Sequence, residues 1–169
     1  LLDFLFSIFF LISCIPFFIL ITLLIKLSSR GPIFFLQERI GRNNIPFKCI
    51  KFRTMHPEAK DILENLLMKD DKLKMEFEKN HKIKNDPRIT TIGKFLRKTS
   101  LDELPQFINV LRNEMSIVGP RPIVNKEKKK YGKHLKKVLS IKPGITGLWQ
   151  VSGRNNLTYK TRVKLDLNY

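Results

Sequence analysis

At 169 residues the chain is about one domain long, enough to bury a core of its own. Its 32 Lys and Arg against 15 Asp and Glu give a formal net charge of +17, which calls for a polyanionic partner: nucleic acid, an anionic membrane surface or a phosphorylated substrate. Cys14 and Cys49 form no C-x-x-C and exclude a disulfide framework, as in a reduced, cytoplasm-facing domain, and His56, His81 and His134 stand singly, so no metal is assigned to them.

From Phe4 to Ile25 run 22 residues without a charge, rich in Phe, Leu and Ile. About 20 apolar residues suffice to span a bilayer core. Residues 1–25 hold one charge, Asp3, so residues 26–169 carry +18. A cleaved signal is the weaker reading, because no basic stretch precedes the run and no A-x-A site follows it. Pro16, near its middle, forfeits a helical hydrogen bond and clashes with the carbonyl of Ile12. In lipid the freed backbone groups must be satisfied internally, and Ser13 offers a local bond to a carbonyl. Two geometries follow: a kinked helix that crosses, or a helix, a break and a second helix returning to the same face. Lys26 and Arg30 put the basic domain in the cytoplasm in either case.

Ser28 to Pro32 is a turn, Ile33 to Gln37 a strand, Gly41 to Asn44 a second turn and Phe47 to Phe52 the partner strand. Glu58 to Asn80 has the spacing of a charged amphipathic helix, with a break near Asp70-Asp71. Lys84 to Pro87 is a loop, since the residue before proline resists helical conformation. A short helix from about Thr91 passes through Phe95, Leu96 and Arg97 and delivers the chain to Thr99-Ser100-Leu101-Asp102-Glu103-Leu104-Pro105-Gln106.

Two adjacent carboxylates, Asp102 and Glu103, stand there in a chain whose other charges are mostly positive. Pro105 fits a helix only in its first turn, which predicts a helix starting near Asp102. Leu104, Phe107, Ile108 and Leu111 then form one apolar face. Both carboxylates would sit at the positive end of the helix dipole, where anions collect. On this stretch alone capping is the simpler reading, because Ser100 and Glu103 match a capping box.

Met115 to Val118 is a strand candidate running into Gly119-Pro120-Arg121-Pro122. The two prolines stiffen the backbone around Arg121, as a phosphate clamp requires, and an ordinary Pro-rich turn is the plain alternative. Asn125 to Leu139 reads as a basic helix carrying Lys126, Lys128, Lys129, Lys130, Lys133, Lys136 and Lys137. Beside a membrane segment these suggest docking on anionic lipid headgroups; a solvated charged face is the alternative. In Ile141 to Arg154, three glycines and a proline let backbone N–H groups approach a ligand, while Lys142 and Arg154 supply charge. This is not a Walker A loop. A last helix begins near Thr158.

Taken in order, Lys51 to Met55, Thr99 to Gln106, Met115 to Pro122 and Lys142 to Arg154 resemble the bacterial sugar transferases, the polyprenyl-phosphate phosphoglycosyl transferases of the monotopic superfamily. The resemblance covers nearly all of the chain. It implies transfer of sugar-1-phosphate from a UDP-sugar to undecaprenyl phosphate with release of UMP, in two steps and with Mg²⁺, as the first membrane step of glycan assembly. Asp102 matches the nucleophile that forms a phosphoglycosyl-aspartate. Glu103 matches the glutamate implicated in Mg²⁺ binding or acceptor deprotonation, and the metal would be shared with Asp102. Arg97 resembles a supporting arginine of the active site. Arg121 with Pro120 and Pro122, Gln150, Arg154 and Lys142 of the Gly-rich run, and Arg53 are implied on the substrate side. Asp166 joins them through an Asp-x-x-Tyr match with Tyr169. With this context the carboxylates read as catalytic rather than as a cap.

The implied fold is α/β, mostly α with a short β-hairpin or small sheet. Residues 1–27 would form a re-entrant membrane helix broken at Pro16, and residues 28–169 a cytoplasmic catalytic domain on the bacterial inner membrane. The family breaks that helix at Ser-Pro; here the pair is Ile15-Pro16, so Pro16 must do most of the bending. Lys82 to Ile89 and Gly147 to Arg154 look closest to members using UDP-hexoses, with UDP-N-acetylated amino sugars as the alternative. Expected partners are the UDP-sugar, undecaprenyl phosphate and anionic lipids; the oligomeric state, a homodimer included, is left open. The rival reading is a membrane-tethered polybasic protein that binds nucleic acid or another anion without catalysis. A carboxylate pair amid the basic domain would repel phosphates, so no nucleic-acid partner is expected.

Overall fold

The computed structural model describes residues 1–80, 83, 85–153 and 157–168, the side chains of Glu76, Lys79 and Asn80 excepted. In chain order the elements begin with α1 (Leu2–Ser13), α2 (Ile15–Ser28), β1 (Phe34–Ile40) and β2 (Pro46–Phe52). They continue with α3 (Ala59–Lys69), α4 (Asp71–Asn80), α5 (Thr91–Thr99), α6 (Gln106–Leu111) and β3 (Ser116–Val118). After these come α7 (Lys128–Tyr131), α8 (Leu135–Val138), β4 (Gly144–Thr146), α9 (Leu148–Val151) and α10 (Tyr159–Leu167). Helix therefore dominates, with two small sheets, β1–β2 and β3–β4, as the expected class requires.

Among the described residues no single helix is long and apolar enough to cross a membrane; α1 and α2 pass that test together, bent by 62° at their break. Pro16 sits in the first turn of α2, where its missing N–H costs nothing, so the chain breaks cleanly at Cys14. The serine that bonds back to a carbonyl is Ser7, donating to Asp3 O at 2.6 Å.

Contacts divide the chain into two compact units. The first comprises Leu1–Ile15, Leu36–Lys51 and Glu103–Tyr169. Here Phe10 stacks on Phe107 of α6 at 4.2 Å, while Phe9 and Ile12 of α1 remain bare. Asp3 accepts from the Ser116 hydroxyl and, at 3.4 Å, from the Ile117 N–H. One core cluster gathers Ile40, Ile123, Tyr131, Val138, Leu139 and Val163, and another gathers Phe47, Cys49, Val110 and Met115. Burial also raises the Cys49 thiol pKa, so this cysteine packs as a small hydrophobe.

The second unit comprises Pro16–Phe35 and Phe52–Asp102. Phe52 is its aromatic hub, with ring centroids 5.3 Å from Phe18 and 5.5 Å from Phe34. The expected break near Asp70-Asp71 falls at Asp70, whose carboxylate caps α4 by accepting from Lys72 N and Leu73 N. Helix α5 starts where expected, with Thr90 accepting from Gly93 N at 3.0 Å. A Cβ on Gly93 would lie 2.0 Å from the Thr54 carbonyl oxygen, so this helix can approach that backbone only with glycine there.

Three expectations are corrected. The helix expected from Asp102 is a 3₁₀ turn, Leu101–Glu103, followed by the six-residue α6, with Pro105 in its N-cap position. So short a helix contributes little dipole, which removes that part of the argument for the carboxylates. It is also buried through Gln106 and Asn109 as well as Phe107 and Val110, rather than on the expected apolar face alone. The basic helix expected over 125–139 is a chain of short turns: Asn125–Glu127, α7, Gly132–His134 and α8. Gly132 breaks it at φ 50°, a left-handed conformation that ends a right-handed helix. Finally, two of the three glycines expected to admit a ligand, Gly144 and Gly147, are packed against backbone. Gly144 opens β4, which pairs in parallel with β3 in the register Ser116↔Gly144 and Val118↔Thr146. Cβ atoms on Gly144 and Gly147 would each lie 2.1 Å from backbone atoms of Gly119.

Candidate active site

In the first unit, Glu103 leaves the 3₁₀ turn toward β2 and accepts from Lys51 Nζ at 2.7 Å, both side chains partly open to solvent. The register of α6 on β2 is set by Asn109, which is fully buried. Its Oδ1 accepts from Ile50 N at 3.0 Å, and its Nδ2 donates to Lys48 O at 2.8 Å and to Glu114 at 2.6 Å. Asn109 thus bonds the backbone of β2 as a neighbouring strand would, one residue from Lys51.

The same unit holds Arg121. Its backbone N–H donates to Asp166 at 3.2 Å, its guanidinium donates to Glu127 at 3.0 Å, and its Cζ stands 5.6 Å from the Trp149 ring centroid. Arg162 approaches the same ring at 5.3 Å. Asp166 also accepts from Tyr131 Oη at 2.8 Å. Arg39 donates to the Pro122 carbonyl at 3.2 Å and to Gln37 at 2.7 Å, so it ties the Pro-Arg-Pro turn to its own strand, β1. Burial raises the Asp166 pKa above the usual carboxylate range, outweighing the hydrogen bonds from Tyr131 and Arg121. Burial, with the Asp166 charge and hydrogen bond, raises that of Tyr131 too. Burial and the like charge of Arg121 lower the Arg39 pKa against the pull of Glu127. Lys142 donates to Asn113 Oδ1, and Gln150 Nε2 donates to the Ile145 carbonyl at 2.8 Å.

In the second unit, Arg97 Nε donates to Thr54 Oγ1 at 2.8 Å. Burial lowers the Arg97 pKa, and the Asp102 carboxylate is the largest influence pulling it back up. Arg53 is turned elsewhere: its guanidinium donates to Arg30 O at 2.9 Å, Ser29 O at 2.6 Å and Ser29 Oγ at 3.0 Å. It fastens the end of α2. Arg88 and Asp86 make a buried clamp, 2.8 and 2.6 Å, that shapes the loop before α5.

The structure thus joins Arg121 to Asp166 and pairs Arg97 electrostatically with Asp102; it commits Arg53, Lys142 and Gln150 to contacts within the fold. Arg154 and Tyr169 lie outside the described residues, as do Lys82 and Lys84. Sequence reasoning missed Lys51 as a partner of Glu103, although it heads the quoted Lys51–Met55 run. It also missed Arg39, Glu127 and Asn109; for Asn109 the available signal was an amide inside an apolar helix.

A family model described as bacterial sugar transferase matches residues 1–169. The chain is 46% identical over 167 residues to the exopolysaccharide production protein ExoY of Sinorhizobium fredii, covering 99% of this chain and 74% of that protein. It is 47% identical over 155 residues to the UDP-galactose-lipid carrier transferase of Erwinia amylovora, covering 92% and 32%. It is 52% identical over 139 residues to the undecaprenyl-phosphate galactose phosphotransferase of Salmonella typhimurium, covering 82% and 29%. The chain spans about three quarters of the first relative and about a third of the other two. With a family model matched over its whole length and relatives 46–52% identical, the chain belongs to the bacterial sugar transferase family.

Proposed function

We propose that the protein transfers hexose-1-phosphate from a UDP-hexose to undecaprenyl phosphate, releasing UMP, on the cytoplasmic face of the bacterial inner membrane. The observation that carries this reading is the carboxylate pair itself: Asp102 and Glu103 stand side by side in a cationic chain, and Glu103 is held by Lys51 at 2.7 Å. A structural cap does not need a lysine spent on its second carboxylate. The relatives' names, which specify UDP-galactose, a lipid carrier and undecaprenyl phosphate, support the substrate classes.

In the proposed reaction an Asp102 carboxylate oxygen attacks the phosphorus that bears the sugar, the bond from that phosphorus to the bridging oxygen breaks, and UMP leaves with the electron pair. An acyl phosphate linking Asp102 to the sugar phosphate results. A phosphate oxygen of the polyprenyl acceptor then attacks the same phosphorus and the Asp102 carboxylate departs, leaving a polyprenyl diphosphate sugar. Dividing the transfer into two displacements is ordinary covalent catalysis. Lys51, paired with Glu103, and Arg97, which feels the Asp102 charge, would offset negative charge brought in by the diphosphate. Arg121, anchored on both sides by Glu127 and Asp166, is suited to the phosphates or nucleotide.

Among the described residues no group of three or more His, Cys, Asp or Glu could hold a metal unaided. Mg²⁺ keeps several waters and takes one or two carboxylates together with substrate phosphates, so the acidic pair fits it. Asp102 and Glu103 would hold the ion with the diphosphate, where it would neutralise phosphate charge.

We also read α1–α2 as a re-entrant membrane segment, residues 1–27, on a cytoplasmic domain, residues 28–169. Each end is tied to polar parts of the chain: Asp3 to Ser116 and Ile117, and the Ser29 and Arg30 carbonyls to Arg53. The 62° bend between the two helices supports this reading.

The test is intact mass after mixing protein, Mg²⁺ and candidate UDP-sugars without acceptor. A hexose-phosphate adduct on the wild type and none on Asp102→Asn is expected, with turnover in the variant down at least about 10³-fold. Turnover on adding acceptor without any adduct would rule out the covalent route.

A further inference from the structure

The lysines from Lys126 to Lys137 take no part in the site described above. Their segment is anchored from beneath: Tyr131, Val138 and Leu139 are buried in the cluster with Ile40, Ile123 and Val163. The opposite side is charge. Lys126, Lys129, Lys130, Lys133, Lys136 and Lys137 are exposed, and Lys128 is half-buried. Among the described residues none of the seven has an ion-pair partner. The segment's one carboxylate, Glu127, is engaged by Arg121 and lies 3.9 Å from Arg39. A set of lysines left unneutralised on a well-packed base is a rigid cationic ridge.

Two further cations of the same unit, Arg42 and Lys142, follow at its C-terminal end. Asn43 N donates to Leu139 O at 2.7 Å, which brings Arg42 beside the ridge. Arg42 and Lys142 line one cleft of about 230 Å³, and Lys142 also lines a second with Leu1, Leu2, Asp3 and Phe4. Within this one unit Lys142 therefore reaches the N-terminal end of the apolar helix, in clefts that also hold Glu114 and Asp3.

We propose that the ridge is an electrostatic docking surface for the anionic headgroups of the membrane that receives α1. This rests on the reading of α1–α2 as membrane-inserted. Lysine suits the task, because a flexible point charge attracts diffuse headgroup charge without demanding bidentate geometry. A single-stranded nucleic acid fits less well. Tyr131 faces the core, and Lys130 Nζ covers the Tyr159 ring at 4.6 Å, so the ridge offers no open aromatic platform for bases.

The test uses the full chain partitioning between phosphatidylcholine vesicles and vesicles of phosphatidylcholine with phosphatidylglycerol. The ridge variant carries Lys129→Gln, Lys133→Gln, Lys136→Gln and Lys137→Gln. A matched control carries Lys60→Gln, Lys69→Gln, Lys72→Gln and Lys74→Gln on α3 and α4, removing the same net charge elsewhere. Wild type should prefer the anionic vesicles, and the preference should collapse in high salt. The ridge variant should lose that preference by up to about a thousandfold, and the control should keep most of it. Equal loss in both variants would overturn the proposal, since net charge alone would then explain the preference. So would a wild type indifferent to anionic lipid that binds a single-stranded oligonucleotide through these lysines. Retention on pure phosphatidylcholine reports α1–α2 separately; its failure would sink the membrane reading rather than the ridge.

Discussion

Asn109→Asp replaces one buried atom and should make stability depend on pH. In the wild type Oδ1 accepts from Ile50 N, while Nδ2 donates to Lys48 O and to Glu114. Aspartate keeps the first bond, but its second oxygen faces two acceptors. Protonated, it can restore one of those two bonds, losing about 1 kcal/mol. Ionised, it is a buried charge beside the Glu114 carboxylate, and such carboxyls move up by roughly 3 units or more. A folded-state pKa above the unfolded one makes stability fall as pH rises through the interval, by about 1.4 kcal/mol per unit. Between pH 5 and pH 7 the variant should lose about 2–3 kcal/mol relative to wild type, or about 5–10 °C in Tm. Thermal unfolding of both proteins in detergent at the two pH values measures it. Adding Glu114→Gln should flatten the slope. A difference independent of pH, or untouched by Glu114→Gln, would refute the assignment of Asn109 as the clamp on β2.

Other outcomes follow from the same structure. The raised Asp166 pKa means that the folded state holds this proton more tightly than the unfolded chain, so stability declines as pH rises above the usual carboxylate range. Asp166→Asn should remove that slope, as denaturant titrations from pH 4 to 7 would record. Asp86 is the opposite case: burial pushes its pKa up, but the bonds from Arg88 win and lower it. Its stabilisation is lost as pH falls through the lowered value, and Arg88→Met should abolish this acid-side loss. Gly31→Ala should cost about 2 kcal/mol or more by thermal unfolding, since Gly31 sits at φ 127° and a Cβ would meet Arg53 Nη1 at 2.1 Å.

Much of the architecture was legible because local chemistry decides it: Asp70, Thr90 and Thr158 cap helices within about a residue of the expected starts, and Pro16 ends α1 as its covalent structure requires. What could not be read was decided over distance. Pro105 was compatible with a helix from Asp102, yet the chain takes a 3₁₀ turn there and Glu103 reaches Lys51, 52 residues earlier in sequence. Gly144 and Gly147 promised open backbone, and only the partner Gly119, upstream in the chain, reveals that the space beside them is already filled. Seven lysines at helical spacing concealed Gly132, whose left-handed backbone divides them. For the candidate site, residue types and order were visible in the sequence. The anchoring of Arg121 by Glu127 and Asp166, and the diversion of Arg53 to the end of α2, were not.

The parallel pairing of β3 with β4 joins Ser116 to Gly144 and so closes a long loop that contains Arg121 and every lysine of the ridge. Two three-residue strands and the close glycine backbones make that closure, and the loop itself is held by Ile123, Tyr131, Val138 and Leu139 in the core and by Asp166 on Arg121 and Tyr131. Closing a loop of this length costs entropy that the strand pair and this core offset together, so the strand pair and the loop should open as one cooperative unit. Amide exchange at Gly119 and Gly144 would then report on headgroup docking and arginine positioning together. A substitution that loosens the strand pair would weaken both while leaving α5 and its carboxylate neighbour intact.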